Sequence, residues 1–505
     1  MESDWFVWDT WGGEKDYRVR QRMSSFWKKG TGPRRRAPVR GEASGARARK
    51  SSLTATHFVT IVSALGLVSF IALLRSLSPQ RYVEPNIESR RSSACGPFKL
   101  EDHFGTKSIY SPPDEVAPLD PDGTLLYVYI LARHGCRFPT KKNVHKIAEL
   151  HKALIRTGTS HSPAWLFHLS NPYTMELAGA LTERGARQMK DLGARFWNLY
   201  GVNGGLHSAR VESTFKERAV ESARSFASNW YGGGSQGAEL AESVFIHPRD
   251  PRDSTLRFFE CAPYNEYRAT LMIAREKDLS PYRELAKRVA KALSLRNRLE
   301  PSMARVFLHS CMYDVARDVR NSHFCDLIGE KDALKVERFV EDQESFKSAA
   351  VRFPWVAAPL LIDIIESMKA CLSQASQGQC TETDIRVAHA ETLMPLILLL
   401  GLGKTERVEG QDELCSTGTI CPMGANLAIE LYRTSNGHTY VMFRLNERYV
   451  KMIDKCGNKD FCTLEELESI LKHTTTIDQW ESRCHGTYNL PKDYAVRKEE
   501  IEAEA

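Results

Sequence analysis

The sequence predicts an α/β fold with a helical insertion, preceded by one transmembrane helix, and three observations support this prediction. Residues 125–131 form a continuous apolar run, which is typical of a strand buried on both faces of a parallel sheet. Residues 267–383 show helical periodicity without the alternation that would indicate strands. Residues 51–75 are almost entirely uncharged. We therefore expect a membrane-anchored protein with a discontinuous α/β core.

The first 50 residues hold the chain's excess of positive charge. They contain thirteen Lys and Arg against six Asp and Glu, a net +7, so the +6 of the whole chain leaves −1 for residues 51–505. A tail this rich in Arg, Gly and Ser is expected to be disordered. Such a tail is also compatible with nucleic-acid binding, but a neighbouring apolar segment explains the charge better. No nucleic-acid partner is expected.

A membrane anchor is predicted for residues 51–75. The first 24 residues of this segment contain no ionisable side chain except His57, and a bilayer is spanned by ~20 apolar residues. Three basic residues precede it: Arg47, Arg49 and Lys50. The positive-inside rule then keeps the tail in the cytosol. We expect a single-pass type II membrane protein, with residues 76–94 as a stalk and the catalytic part in the secretory lumen or outside the cell. The alternatives are a cleaved signal peptide and a buried core helix.

The cysteines support the same topology. All twelve lie between Cys95 and Cys484, beyond the apolar segment, as expected of a chain folded in an oxidising compartment. Three close pairs are candidates for small disulfide loops, although the sequence does not settle their connectivity. These pairs are Cys371/Cys380, Cys415/Cys421 and Cys456/Cys462.

The segment Arg133-His134-Gly135-Cys136-Arg137-Phe138-Pro139 is the most informative motif of the chain. Two arginines so close together repel each other unless a dianion lies between them, and guanidinium groups match phosphate oxygens bidentately. An imidazole between them can attack phosphorus and hold the phosphoryl group covalently. The motif therefore indicates a phosphate site with a histidine nucleophile. A basic surface turn with an incidental histidine is the alternative interpretation.

The motif lies between a predicted strand and a predicted helix. The strand is the apolar run 125–131, and apolar residues at spacings of three and four predict a helix over 142–156. Ligands of open α/β sheets bind at the carboxyl ends of the strands, where a helix N-terminus adds a favourable dipole for an anion.

The predicted core is divided into two parts, 95–266 and 384–490, which are separated by the helical stretch 267–383 and followed by a charged tail, 491–505. The first part contains a long amphipathic helix near 212–230, in which Thr214, Arg218 and Ser222 share one face. The second part begins with strand 385–388, and His389 follows that strand directly, ahead of a helix with Pro395 in its first turn.

Three segments together resemble one protein family. Arg133-His-Gly-x-Arg-x-Pro139 is the signature of the histidine phosphatase superfamily, in its acid phosphatase and phytase branch. His389-Ala-Glu391 resembles the multiple inositol-polyphosphate phosphatases, whereas most other members of the branch have His-Asp there. The segments Ala425–Tyr432 and Tyr440–Glu447 look like the late strand pair of that subfamily. The resemblance covers roughly residues 95–488. It implies a Rossmann-like three-layer core into which a helical cap, residues 267–383, is inserted.

The resemblance also implies catalytic roles. His134 would be the nucleophile, and the transferring phosphoryl group would be bound by four residues: Arg133, Arg137, Arg218 and His389. Glu391 would protonate the leaving group and then activate water. Many acid phosphatases carry an arginine two residues before the threonine of the 212–230 segment. This chain has Glu212 there, so no role is transferred to it.

The expected activity is metal-independent hydrolysis of phosphate from phytate and lower inositol phosphates, because three arginines already supply the positive charge that Mg²⁺ supplies elsewhere. No cofactor is expected. Lys141 and Lys142 directly follow the motif and are predicted to bind the other phosphates of such a substrate. The alternatives are a general histidine acid phosphatase or bisphosphoglycerate-type phosphatase, and an inactive membrane-anchored phosphate-binding protein.

Overall fold

The computed structural model describes residues 99–485, except for 250–252, 254, 343–352, 375–379, 403–416, 451–455, 457–458 and 473–475. The strands are β1 Gly123–Arg133, β2 Ala209–Ser213, β3 Phe245–Ile246, β4 Thr383–Ala388, β5 Asn426–Thr434, β6 Thr439–Leu445, β7 Arg448–Val450 and β8 Cys462–Thr463. The helices are α1 Lys141–Thr157, α2 Glu183–Phe196, α3 Glu217–Ser228, α4 Gly234–Glu242, α5 Ala262–Lys277, α6 Arg283–Ala292, α7 Pro301–Ala316, α8 Glu330–Asp342, α9 Ala358–Gln374, α10 Ala390–Leu400, α11 Thr417–Ile420, α12 Leu464–Lys472 and α13 Ile477–His485.

All eight strands form one mixed sheet. The strand order is β3-β2-β4-β1-β5-β6-β7, and β8 pairs with β6. Strands β3, β2, β4 and β1 run parallel, whereas β5 is antiparallel to β1 and continues into an antiparallel hairpin with β6. A turn at Asn436-Gly437 closes that hairpin, with Gly437 at φ +84°. The two predicted strands, 125–131 and 385–388, thus lie side by side in the parallel half, and the full sheet is mixed.

Helices cover both faces of the sheet, and the side chains of β1 show why. Successive residues of a strand point to opposite faces, so Tyr129 and Leu131 pack with one group of helices while Val128 and Ile130 pack with the other. The first group consists of α5, α9, α10, α12 and α13. The second group consists of α2, α3 and α4. The result is a three-layer α/β arrangement whose central strand is buried on both faces.

A further group of helices lies off these two layers. Helix α1 packs on α7, which also packs on α6. Helix α9 falls within the predicted insertion 267–383, but it packs directly against the sheet. The predicted insertion 267–383 therefore contains a helix that belongs to the core. The boundaries of a separate cap stay a prediction.

Two local predictions are wrong in detail. The segment predicted as a helix near 212–230 begins as strand β2, and α3 starts only at Glu217. Pro395 was expected in the first turn of its helix, but α10 already begins at Ala390. Pro395 therefore lies inside the helix. Because proline has no N–H, the carbonyl of Glu391 loses its usual helical donor.

Four disulfides occur in the described part of the chain. Two of them, Cys371–Cys380 and Cys456–Cys462, were candidates from spacing alone and are confirmed. The other two, Cys261–Cys484 and Cys311–Cys325, join residues too far apart for a spacing argument. The third candidate pair stays a prediction, because Cys415 lies outside the described residues.

No helix within the described ranges is long and apolar enough to span a membrane. The predicted tail 1–50, anchor 51–75, stalk 76–94 and charged tail 491–505 all lie outside the described residues.

Candidate active site

Two neighbouring parallel strands end side by side and bring two histidines together. Arg133, the last residue of β1, is paired with Ala388, the last residue of β4. Each strand is followed by a histidine, and the ring centroids of His134 and His389 are 5.6 Å apart. His134 N donates to the Ala388 carbonyl at 3.0 Å, which holds the two strand ends in register beyond the sheet. The paired strand ends therefore bring both histidines to the same edge of the sheet.

Most backbone N–H groups of the 133–139 loop are hydrogen-bonded to the surrounding segments. The donors and acceptors are His134 N to Ala388 O, Gly135 N to Ser222 Oγ, Cys136 N to Gln188 Oε1, Phe138 N to Ala180 O and Gly424 N to His134 O. These bonds occupy the amide N–H groups of four loop residues. Anion binding here therefore depends on side chains rather than on backbone amides, unlike the phosphate loops that cradle a ligand with successive N–H groups.

His134 is held in the protonation state that a nucleophile needs. Its Nδ1 lies 2.9 Å from the Gly135 carbonyl. A carbonyl oxygen can only accept, so Nδ1 carries the hydrogen and the lone pair is on Nε2. Burial and the guanidiniums of Arg218 and Arg133 hold the pKa of His134 well below its ordinary value of 6.5. The imidazole is therefore neutral and nucleophilic at neutral and mildly acidic pH.

Three arginines surround this imidazole and are almost completely buried: Arg133, Arg137 and Arg218 are 4%, 2% and 6% exposed. The Nη1 of Arg133 donates to the carbonyls of Thr106 and Cys421, at 2.5 and 2.8 Å. That of Arg137 donates to the Phe138 carbonyl at 2.8 Å. These three contacts are to neutral carbonyl oxygens, which orient the guanidiniums without cancelling their charge. Guanidiniums oriented in this way are suited to bind the oxygens of a phosphate dianion.

His389 is positioned by a residue whose importance the sequence did not reveal. The Thr214 hydroxyl is hydrogen-bonded to Nε2 of His389 at 2.9 Å, and both residues are buried. The ring edge of Phe259 meets the same imidazole, with centroids 6.3 Å apart. Burial, followed by the charges of Arg218 and Arg257, holds the pKa of His389 well below 6.5. In the sequence, the only indication of a role for Thr214 is that helical spacing puts it on the same face as Arg218.

Glu391 occupies the first turn of α10, two residues after His389, and is 4% exposed. His389 is the N-cap of this helix. A carboxyl group in the first turn of a helix lies at the positive end of the helix dipole. The arrangement therefore puts a carboxyl group and an imidazole at one buried helix start beside the arginine loop.

Two close approaches fix the loop against helix α2. A Cβ atom on Gly135 would come within 2.5 Å of the Gly185 carbonyl, and one on Gly185 within 2.1 Å of the Cys136 carbonyl. Both positions therefore need glycine. Gln188 on the same helix accepts from Cys136 N and donates to the Met423 carbonyl at 2.8 Å. The Cys136 thiol is free and buried, and burial raises its pKa to about 12, so it stays protonated.

The two lysines after the loop lie at the start of α1, Lys141 exposed and Lys142 partly exposed. Lys142 and Lys146 approach the same carboxylate, that of Glu276, at 3.3 and 3.6 Å. Further cations lie nearby in the fold: Lys107, Arg305 and Lys146 all lower the pKa of the buried His309. Lys107 directly follows Thr106, whose carbonyl binds Arg133. The phosphate loop therefore has a group of cations on one flank.

Comparison with known proteins agrees with this geometry. Residues 124–453, more than half of the chain, match the model of the histidine phosphatase superfamily (branch 2). A curated relative, multiple inositol polyphosphate phosphatase 1 of Gallus gallus, is 27% identical over 438 residues, which cover 78% of this chain and 94% of the relative.

Two solved structures share the fold. The phytase from D. castellii superimposes with a TM-score of 0.64 at 16% identity, covering 79% of this chain and 91% of the phytase. The Bifidobacterium longum multiple inositol polyphosphate phosphatase, solved in complex with inositol hexasulfate, gives a TM-score of 0.53 at 16% identity, covering 75% and 99% of the two chains.

Proposed function

The chain belongs to the histidine phosphatase superfamily, branch 2, and we propose that it hydrolyses phosphomonoesters of inositol polyphosphates through a phosphohistidine intermediate without a metal ion. One observation is central to the proposal. The Nδ1 of His134 is bonded to the Gly135 carbonyl, which leaves the lone pair of Nε2 for attack amid three buried arginines. A nucleophile and the charge that stabilises its reaction thus occupy one buried pocket.

In the first step His134 Nε2 attacks phosphorus as the bond to the leaving oxygen breaks. Negative charge on the phosphoryl oxygens is stabilised by Arg133, Arg137, Arg218 and His389, which need no reorganisation during the reaction. Glu391 gives its proton to the leaving oxygen and becomes a carboxylate. The products of this step are the alcohol and phosphohistidine.

In the second step water attacks the phosphohistidine and restores the enzyme. Glu391, now a carboxylate, accepts a proton from the water as the phosphorus–nitrogen bond breaks. Inorganic phosphate leaves, and both His134 and Glu391 return to their starting states. The same arginines stabilise the phosphoryl group in both steps, so no metal ion is required by the charge balance.

Inositol polyphosphates are proposed as the substrate class on two grounds. The similar proteins include, by name, inositol polyphosphate phosphatases and phytases. In this chain, cations that flank the loop are suited to phosphates that do not react: Lys142 and Lys146 share one Glu276, and Lys107 and Arg305 lie around His309. The buried Thr140 hydroxyl, which makes no hydrogen bond within the described residues, offers a further polar contact beside Lys141.

Phytate and 4-nitrophenyl phosphate, assayed with the same preparation, test the substrate proposal. We expect a kcat/KM for phytate that is higher by at least an order of magnitude. Equal or reversed preference would overturn the inositol polyphosphate assignment in favour of a general acid phosphatase. Absence of turnover on both substrates, with phosphate still bound, would favour an inactive binding protein.

We also propose that residues 51–75 anchor the protein in a membrane with the catalytic part on the luminal or external side. The support is the uncharged segment, its basic flank and the cysteines beyond it. Protease treatment of sealed microsomes is expected to remove the basic tail and to leave a protected fragment beginning near Arg75. Digestion of the catalytic part in sealed vesicles would contradict this topology.

A further inference from the structure

Arg257 is a buried arginine that belongs to none of the sequence motifs. It is 2% exposed and precedes the pair Phe258-Phe259. Its guanidinium lies over two aromatic rings, 4.5 Å from the centroid of Phe215 and 5.5 Å from that of Phe259. A guanidinium in such a position is held by both ring faces and has little freedom to move.

Both rings connect Arg257 to the surroundings of His389 and Glu391 at the start of α10. Phe259 meets the His389 imidazole edge-on, and Phe215 directly follows Thr214, whose hydroxyl is bonded to His389 Nε2. The chain segment is also tied to this helix start, because Thr392 Oγ1 donates to the Leu256 carbonyl at 2.8 Å. Thr392 adjoins Glu391. Arg257 is therefore built into the surroundings of the proposed proton donor.

The charged groups around Arg257 include the carboxyl group of Glu391. Arg257 forms an ion pair with Glu260, and the charges of Asp253 and Glu391 also act favourably on it, whereas the charge of Arg249 opposes it. Burial lowers its pKa to about 10, so the guanidinium remains charged at neutral pH. The same charge is among those acting on His389. A buried charge of this kind is strongly felt by its neighbours.

We propose that Arg257 is a positioning residue that stabilises the Glu391 carboxylate as its proton passes to the leaving oxygen. The inference rests on the proposed function, in which Glu391 is the donor. During the first step the phosphorus–oxygen bond breaks, the proton of Glu391 moves to that oxygen, and negative charge develops on Glu391. A fixed cation near this charge lowers the barrier to transfer from the protonated Glu391. In this role Arg257 acts on Glu391 and not on the phosphoryl group.

Leaving groups of different basicity separate this role from a purely structural one. A nitrophenolate departs with little protonation, whereas an alkoxide needs a proton. We expect Arg257→Met to lower kcat/KM about 10- to 100-fold for glycerol 2-phosphate but less than about threefold for 4-nitrophenyl phosphate. The ratio kcat/KM is used because it covers phosphoryl transfer from the substrate and not the later hydrolysis of the phosphoenzyme.

Three further variants complete the experiment. Arg249→Met is the matched control, because exposed Arg249 lies 5.9 Å from the centroid of the same Phe215 ring. It should leave kcat/KM for both substrates unchanged. Arg257→Lys should recover much of the glycerol phosphate activity, because it retains the charge. Arg257→Gln serves as a second neutral substitution should Arg257→Met fail to fold.

Glu391→Gln is the reference that separates the two proposals. Suppose that Glu391→Gln lowers kcat/KM selectively for glycerol 2-phosphate, whereas Arg257→Met and Arg257→Gln lower kcat/KM equally for both substrates. Arg257 is then structural, and this inference is overturned. If Glu391→Gln itself impairs both substrates equally, the donor assignment in the proposed function fails, and this inference falls with it. Selective losses in Glu391→Gln and in the neutral Arg257 variants support both.

Discussion

The site has two sides that are built in different ways. The nucleophile side is one contiguous segment, residues 133–139, and its backbone N–H groups are bonded to the strands and helices around it. The acid side consists of His389 and Glu391 at the start of α10, and its supporting groups come from distant parts of the chain: Thr214, Arg257 and Phe259. A contiguous motif can be recognised in a sequence, whereas a support assembled from separate segments needs the fold.

The largest loss is expected on the nucleophile side. His134→Ala should lower turnover by at least about 10⁴-fold, because no other group can form the covalent intermediate. The loop is held mainly by backbone bonds, so we expect the folded state to persist. Turnover is measured together with a thermal unfolding midpoint. Substantial activity in a folded His134→Ala enzyme would remove His134 from the mechanism.

On the acid side, we expect activity to depend on the residues that position His389 and Glu391. Thr214→Val removes the hydroxyl that bonds His389 Nε2 with little change in volume, and should lower kcat about tenfold. Thr214→Ser keeps the hydroxyl and should retain most of the activity. Steady-state kinetics of both variants check this. Equal losses in the two would indicate that packing, and not the hydrogen bond, positions His389.

The two sides of the site also differ in how much of each could be predicted from the sequence. The arginine–histidine motif itself indicates Arg133, His134 and Arg137, whereas Arg218, His389 and Glu391 were assigned from the resemblance to the histidine phosphatases. The fold brings His134 and His389 together at paired strand ends. Thr214 and Arg257 could not be assigned a role, because their contacts depend on how β2 and residues 255–260 pack against α10. The antiparallel pairing of β5 with β1 was not predicted, for the same reason.

The flank of the nucleophile side is the next test. The double variant Lys141→Ala/Lys142→Ala should raise KM for phytate several-fold more than KM for 4-nitrophenyl phosphate, because only phytate has phosphates beyond the one in the loop. Lys152→Ala, on the same helix but exposed and paired with Glu149, is a control that should affect neither. Equal increases for the two substrates would argue against a polyphosphate site at this flank.

The smallest effect concerns pH. The pKa of His134 lies well below 6.5, so its neutral form persists as pH falls through 6.5 and is lost only at the lower, folded-state pKa. We therefore expect kcat/KM, which reports the free enzyme, to show no acid limb near pH 6.5 from this group. A pH–rate profile between pH 4 and 8 checks this. An acid limb of kcat/KM near pH 6.5 in the unsubstituted enzyme would contradict the electrostatic account of His134.

The central claim is that His134 carries the phosphoryl group, and chemical trapping tests it most directly. The enzyme is mixed with ³²P-labelled substrate, quenched in alkali within milliseconds and digested, and the labelled peptide is sequenced by mass spectrometry. Phosphohistidine survives alkali and is lost in acid, so we expect an acid-labile label on the peptide that contains His134 and none in His134→Ala. A label on another residue, or full turnover with no phosphoenzyme at any quench time, would contradict the account.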